Sequence, residues 1–127
     1  MRRALLVPVL LALSASPALA LPRLHVVIRG ENHAPRVGKP WSYSVRVTTP
    51  AGRPIAAHIH MQMLFGTLPV GEIGRHYLRR GVWRETFGVG INPPFPPASR
   101  GQHLTLQATA TAKGFGAGKA GWAVVPR

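Results

Sequence analysis

The stretch Trp41-Ser42-Tyr43-Ser44-Val45-Arg46-Val47-Thr48 decides the fold class. Trp41, Tyr43, Val45 and Val47 fall on one side of a two-residue period. Ser42, Ser44, Arg46 and Thr48 fall on the other. A period of two is that of a β-strand with one buried face, whereas a helix would bury every third or fourth residue. Pro40 opens the run, and Thr49-Pro50-Ala51-Gly52-Arg53-Pro54 closes it as a turn. Pro50 presets φ there, and Gly52 accepts a positive one.

The same grammar continues in both directions. Upstream, Arg23 to Arg29 places Leu24, Val26 and Ile28 on one face, and Asn32 to Lys39 is a turn-rich link. Downstream, Ile55 to Phe65 sends Ala57, Ile59, Met61, Met63 and Phe65 inward and His58, His60 and Gln62 outward. Gly66 to Gly74 is weakly patterned, and a fourth strand is expected over Ile73 to Arg79. Arg80-Gly81 then turns into a fifth, Val82 to Val89, with Trp83, Glu85 and Phe87 sharing a face. Gly90 to Gly101 carries Pro93, Pro94, Pro96 and Pro97, too many prolines for a sheet interior, and reads as a long crossover. Leu104 to Ala112 alternates strictly, Lys113 to Gly118 is a hairpin loop, and Ala120 to Val125 closes the domain. No helical period of useful length competes. The expectation is an all-β, antiparallel sandwich of about seven strands.

Three segments carry a family resemblance: Val37-Gly38-Lys39-Pro40-Trp41, Thr49-Pro50-Ala51-Gly52-Arg53-Pro54 and Gly81-Val82-Trp83-Arg84-Glu85-Thr86-Phe87. They resemble, in turn, the entry to the second strand, the turn that follows it and a late strand of the immunoglobulin-like (Ig-like) domains of bacterial exported proteins. The resemblance spans most of residues 23–125 and rests on turn and core motifs. It implies an Ig-like β-sandwich, and domains of this shape mostly serve as binding, spacer or adhesion modules. The cysteine pair of antibody domains is missing, so Trp41, Trp83 and Trp122 are expected to fill the core unaided.

The N-terminus reads as a secretory signal peptide over residues 1–20. Arg2 and Arg3 start it, Ala4 to Leu13 is apolar but for Pro8, and Ala18-Leu19-Ala20 is a small-x-small cleavage pattern. The apolar run is short of the roughly 20 residues that span a bilayer. Cleavage after Ala20 leaves 107 of the 127 residues, enough for one domain, 21–127. The expected location is therefore the cell envelope or the medium. With no cysteine, neither a disulfide nor a thiolate metal site is available.

Charge narrows the partners. Against 16 Lys+Arg stand 3 Asp+Glu, a net charge of +13 that falls to +11 once Arg2 and Arg3 leave with the signal peptide. Such a surface attracts anionic polymers and membranes. Nucleic acid is a poor partner for an exported chain, and no nucleic-acid motif is present. Arg75, Arg79, Arg80 and Arg84 surround the expected Gly81 hairpin and form the candidate contact patch for phosphate or carboxylate polymers, which guanidinium groups bind bidentately. Another exported protein is the other partner this reading allows.

Catalysis finds little support. Glu31, Glu72 and Glu85 are the only carboxylates; nothing argues that two of them share a cleft as a glycosidase pair, and without aspartate a Ser-His-Asp triad is impossible. Glu85, between Trp83 and Phe87, is expected half-buried beside an arginine such as Arg46 or Arg84. The expectation is a non-catalytic binding or structural module without a cofactor. The alternative is an exported copper- or zinc-type metal-binding protein using His58 and His60, which share a strand face. A third ligand would come from His25, His76 or His103. Tyr77, Phe95 and Phe115 are the aromatic residues expected at the surface.

Overall fold

In a computed structural model that describes residues 20–127, the alternation at Trp41–Thr48 becomes the middle strand of a three-stranded sheet. The expected signal peptide lies outside the described residues except for Ala20. The strands are β1 (His25–Gly30), β2 (Trp41–Thr48), β3 (Ala57–Phe65), β4 (Leu68–Leu78), β5 (Val82–Phe87), β6 (Leu104–Thr111) and β7 (Gly118–Val124). One 3-10 turn, Pro97–Ser99, lies in the proline-rich crossover. The sheets have the orders β1-β2-β5 and β4-β3-β6-β7, and every pairing within them is antiparallel. This is a two-sheet β-sandwich.

The inward faces meet as the period demands. Trp41, Val45 and Val47 from one sheet pack with Ile59, Met61, Leu106, Ala108 and Ala110 from the other, and all are buried. An aromatic cluster plugs the end where β2 begins. The ring of Trp41 lies 5.9 Å from that of Phe87 and 5.7 Å, edge-on, from that of Phe95. Phe95 is therefore core, although its proline surroundings suggested a surface residue. Hiding a ring of that size gains roughly 1.5–3 kcal/mol, enough to draw the stiff crossover down over the end of the sandwich. Tyr77 is exposed as expected, and Phe115 packs half-buried against the core.

Along β1 and β7 the two sheets are joined by main-chain hydrogen bonds. Leu24 N–H donates to Gly116, and Gly116 N–H to Pro22. Further along, Val125 donates to His33, Arg127 to Pro35, and Val37 to Arg127, a parallel pairing of 33–37 with 125–127.

Four further expectations need correction. The fourth strand starts at Leu68, not Ile73, because β4 carries two bulges: Ile73 and Val70 have no partner in β3, and each extra residue reverses the alternation. Phe65 lies outside the core at 50% exposure, and Leu64 beside it is buried. No hairpin surrounds Gly81: β4 pairs with β3 and β5 with β2, so Arg79–Gly81 steps from one sheet to the other. Of the three tryptophans only Trp41 is fully buried. Trp83 and Trp122 are half-buried, stacked on His76 and His33.

Candidate functional site

The sandwich edge bounded by β4 and β5 is joined by side chains. Asn92, from the loop after β5, donates to Glu85 Oε1 (2.9 Å) and to the Ile73 carbonyl (3.2 Å), linking the two strands. The Tyr43 hydroxyl donates to Glu85 Oε1 at 3.1 Å and accepts from Trp83 Nε1 at 3.3 Å. Glu85 thus points to the core side, as its alternation with Trp83 and Phe87 implied. Its partners are a phenol and an amide, not the expected arginine. Burial, reinforced by the Glu85 charge, pushes the Tyr43 hydroxyl well above its ordinary pKa of 10.0.

The Trp83 indole lies on His76, with ring centroids 3.7 Å apart and planes within 15°. The stack encloses His76 Nε2 and leaves it without a hydrogen-bond partner. Gly74 makes room for that ring, since a Cβ there would stand 3.2 Å from Nε2.

A groove of about 1140 Å³ opens at this edge. Trp83, Glu85, His76 and Asn92 line it, together with Ser42, Ser44, Arg29, Arg75 and Arg84. Register explains the arginines. Arg29 pairs with Ser44, and Ser44 pairs with Arg84, so the three side chains form one row on the outward face of the β1-β2-β5 sheet. With strands about 4.8 Å apart, the two arginine Cα atoms stand about 10 Å from one another across Ser44. Arg75 lines the groove from β4, where its pairing with His60 also places it on the outward face that carries His58 and His60. The groove also holds Glu31, whose Oε1 accepts from the Ser42 main chain at 3.1 Å. Among the described residues the close carboxylate–cation contact is His60–Glu72, so Arg29, Arg75 and Arg84 have no carboxylate at pairing distance.

The structure therefore divides the four candidate arginines. Arg75 and Arg84 line the groove, while Arg79 and Arg80 are exposed at the crossing from β4 to β5 and do not line it. Arg29 was missed. Its relation to Arg84 exists only through the pairing of β1 and β5 with β2, which local spacing cannot reveal.

His58 and His60 project together from the outward face of β3, as expected. The His58 ring lies 4.9 Å from that of Tyr77, and His60 Nε2 is hydrogen-bonded to the Glu72 carboxylate. That hydrogen bond, before any other influence, holds the Glu72 carboxyl below its ordinary pKa. His76 pairs with Ile59 and so turns to the other face, His25 is in the other sheet, and His103 is in the loop before β6. Among the described residues no three His or carboxylate side chains gather as a metal-binding group.

Neither a protein-family model nor a curated protein matches the sequence. Solved structures that it resembles include the sporulation control protein Spo0M of Bacillus subtilis, at TM-score 0.49 and 11% identity over 82% of this chain and 49% of that one. A DUF4466 family protein of Parabacteroides merdae aligns at TM-score 0.41 and 12% identity, over 82% of this chain and 45% of that one. The chain thus spans about half the length of these structures. Likenesses this distant carry no argument about function.

Proposed function

We propose that this chain is an exported, non-catalytic Ig-like module that binds an acidic cell-envelope or extracellular polymer in the groove beside β5. The strand order supports the Ig-like reading. It has the two Greek-key-related sheets of that family, with the fourth strand moved from the first sheet to the second relative to the constant-type arrangement. Export rests on Arg2-Arg3, the apolar run and Ala18-Leu19-Ala20.

The observation that carries the binding role is the set Arg29, Arg75 and Arg84 around one groove, each without a carboxylate partner, in a chain of net charge +13. Guanidinium forks match carboxylate and phosphate oxygens two at a time, and Ser42, Ser44 and Thr86 add hydroxyls along the same face. Glu85 and Glu31 are already engaged as acceptors, Glu85 by Tyr43 and Asn92 and Glu31 by the Ser42 main chain.

A charge-matched pair of variants tests the reading. Arg75→Ser/Arg84→Ser and Arg79→Ser/Arg80→Ser each remove two positive charges, the first inside the groove and the second outside it. Binding to polygalacturonate and to linear polyphosphate across a salt series should fall about tenfold or more in the groove variant and by less than about threefold in the other. Equal losses in both would reduce the interaction to generic charge and sink the groove as a site.

A further inference from the structure

The end of the sandwich where β3 passes to β4 and β5 passes into the crossover combines two properties that oppose each other in water. Phe65, Leu68 and Val70 stand around the Gly66-Thr67 turn, and Val89 and Ile91 stand on the loop after β5. All five are at least half exposed, and Ile91 is exposed without any cover, at 101%. Between the two turns runs a groove of about 530 Å³, lined by Phe65, Val70, Pro93, Pro94 and Phe95.

Cations surround these apolar tips. The link between β1 and β2, the crossover and the C-terminal residues all reach the same end, tied by Gly38 N–H to Phe95, Val37 to Arg127 and Gly101 to Pro126. They bring exposed Arg36, Lys39, Arg100 and Arg127. The nearby carboxylates are Glu31, which accepts from the Ser42 main chain, Glu72, which His60 holds, and Glu85, which Tyr43 and Asn92 hold.

We propose that this end docks on an anionic lipid surface. Leu68, Val70, Val89 and Ile91 enter the boundary between headgroups and acyl chains, and Arg36, Lys39 and Arg100 meet the lipid phosphates. A bilayer suits this surface better than a folded partner does. The apolar side chains stand as separate tips on two turns with a gap between them, and a fluid surface fills such a relief without matching its shape. The rim of positive charge selects a negative surface and repels a second copy of this chain. The patch adjoins the arginine groove, whose lining includes Val89 and Ile91, whereas Leu68 and Val70 stand outside that groove.

Residues 20–127 contain the whole core described above and serve for the test. Co-sedimentation with vesicles of phosphatidylcholine and phosphatidylglycerol in equal parts should show binding that pure phosphatidylcholine vesicles lack. Leu68→Ser/Ile91→Ser alters only exposed positions, and its binding should fall about tenfold or more. Arg79→Ser/Arg80→Ser, at the opposite end, should bind within about threefold of the parent. Ile91→Trp should show a blue shift in tryptophan emission with the anionic vesicles alone. Undiminished binding by Leu68→Ser/Ile91→Ser, or an unshifted Ile91→Trp, would leave only surface charge and overturn the proposal. Failure to bind vesicles, with self-association of the parent that Leu68→Ser/Ile91→Ser abolishes, would overturn it too and assign the patch to a second copy.

Discussion

Along β1 and β7 the two sheets are sewn together by backbone, from Leu24 on Gly116 to Arg127 on Pro35; along β4 and β5 they are held by side chains, chiefly Asn92, Glu85, Tyr43 and Trp83. The backbone seam brings main chains within hydrogen-bonding distance of one another. Gly118 sits there because a Cβ would strike the Leu24 carbonyl, and Gly30 because a Cβ would strike the Trp122 indole. The side-chain seam holds the strands further apart and surrounds a polar groove. One edge makes the sandwich stable, and the other leaves room for chemistry.

The sharpest way to break this contrast is to add one methyl group to the tight edge. Gly118→Ala should cost about 3 kcal/mol, because the atom it meets is main chain and cannot rotate away. Urea unfolding would show the loss as a lower midpoint, and an unchanged midpoint would mean that the seam yields. At the open edge Asn92→Ala removes the clasp to Glu85 and Ile73, with an expected cost of about 1–2 kcal/mol. Hydrogen exchange should then quicken around Ile73–His76 while Val125 and Arg127 stay protected. Uniform quickening would show that the edges open together.

Alkali should act on the open edge first. The Tyr43 hydroxyl titrates above its unfolded value of 10.0, so the folded chain keeps a proton there that the unfolded chain releases. Its contribution to stability is complete below that value and is lost as pH rises beyond it. The urea midpoint should therefore begin to fall near pH 10 and go on falling above it, and the fall should be smaller in Tyr43→Phe. Equal falls would remove Tyr43 as the cause. The smallest effect belongs to Glu72→Gln. The pair with His60 sits on an exposed face, so the neutral-pH midpoint should not move measurably.

What the sequence reveals follows from how local each feature is. The alternation of Trp41 to Val47, of Ala57 to Met63 and of Leu104 to Ala110 reports burial directly, and all three runs face the core. In β4 the signal is erased where the strand bulges at Val70 and Ile73, and its first five residues look like loop. Phe95 was misread because composition described its prolines and not the aromatic cavity beneath it. Arg75 and Arg84 could be singled out as charges near one turn. The row Arg29-Ser44-Arg84 is a product of cross-strand register, which no single stretch of sequence contains.

The parallel pairing of 33–37 with 125–127 has a mechanical consequence. Pro22 and Arg127 lie at opposite ends of the molecule, so tension applied between them slides neighbouring strands past one another lengthwise. The bonds from Val125 to His33, Arg127 to Pro35 and Val37 to Arg127 then share the load at once instead of parting one by one. Stretched in this direction, the domain resists as a clamp in shear.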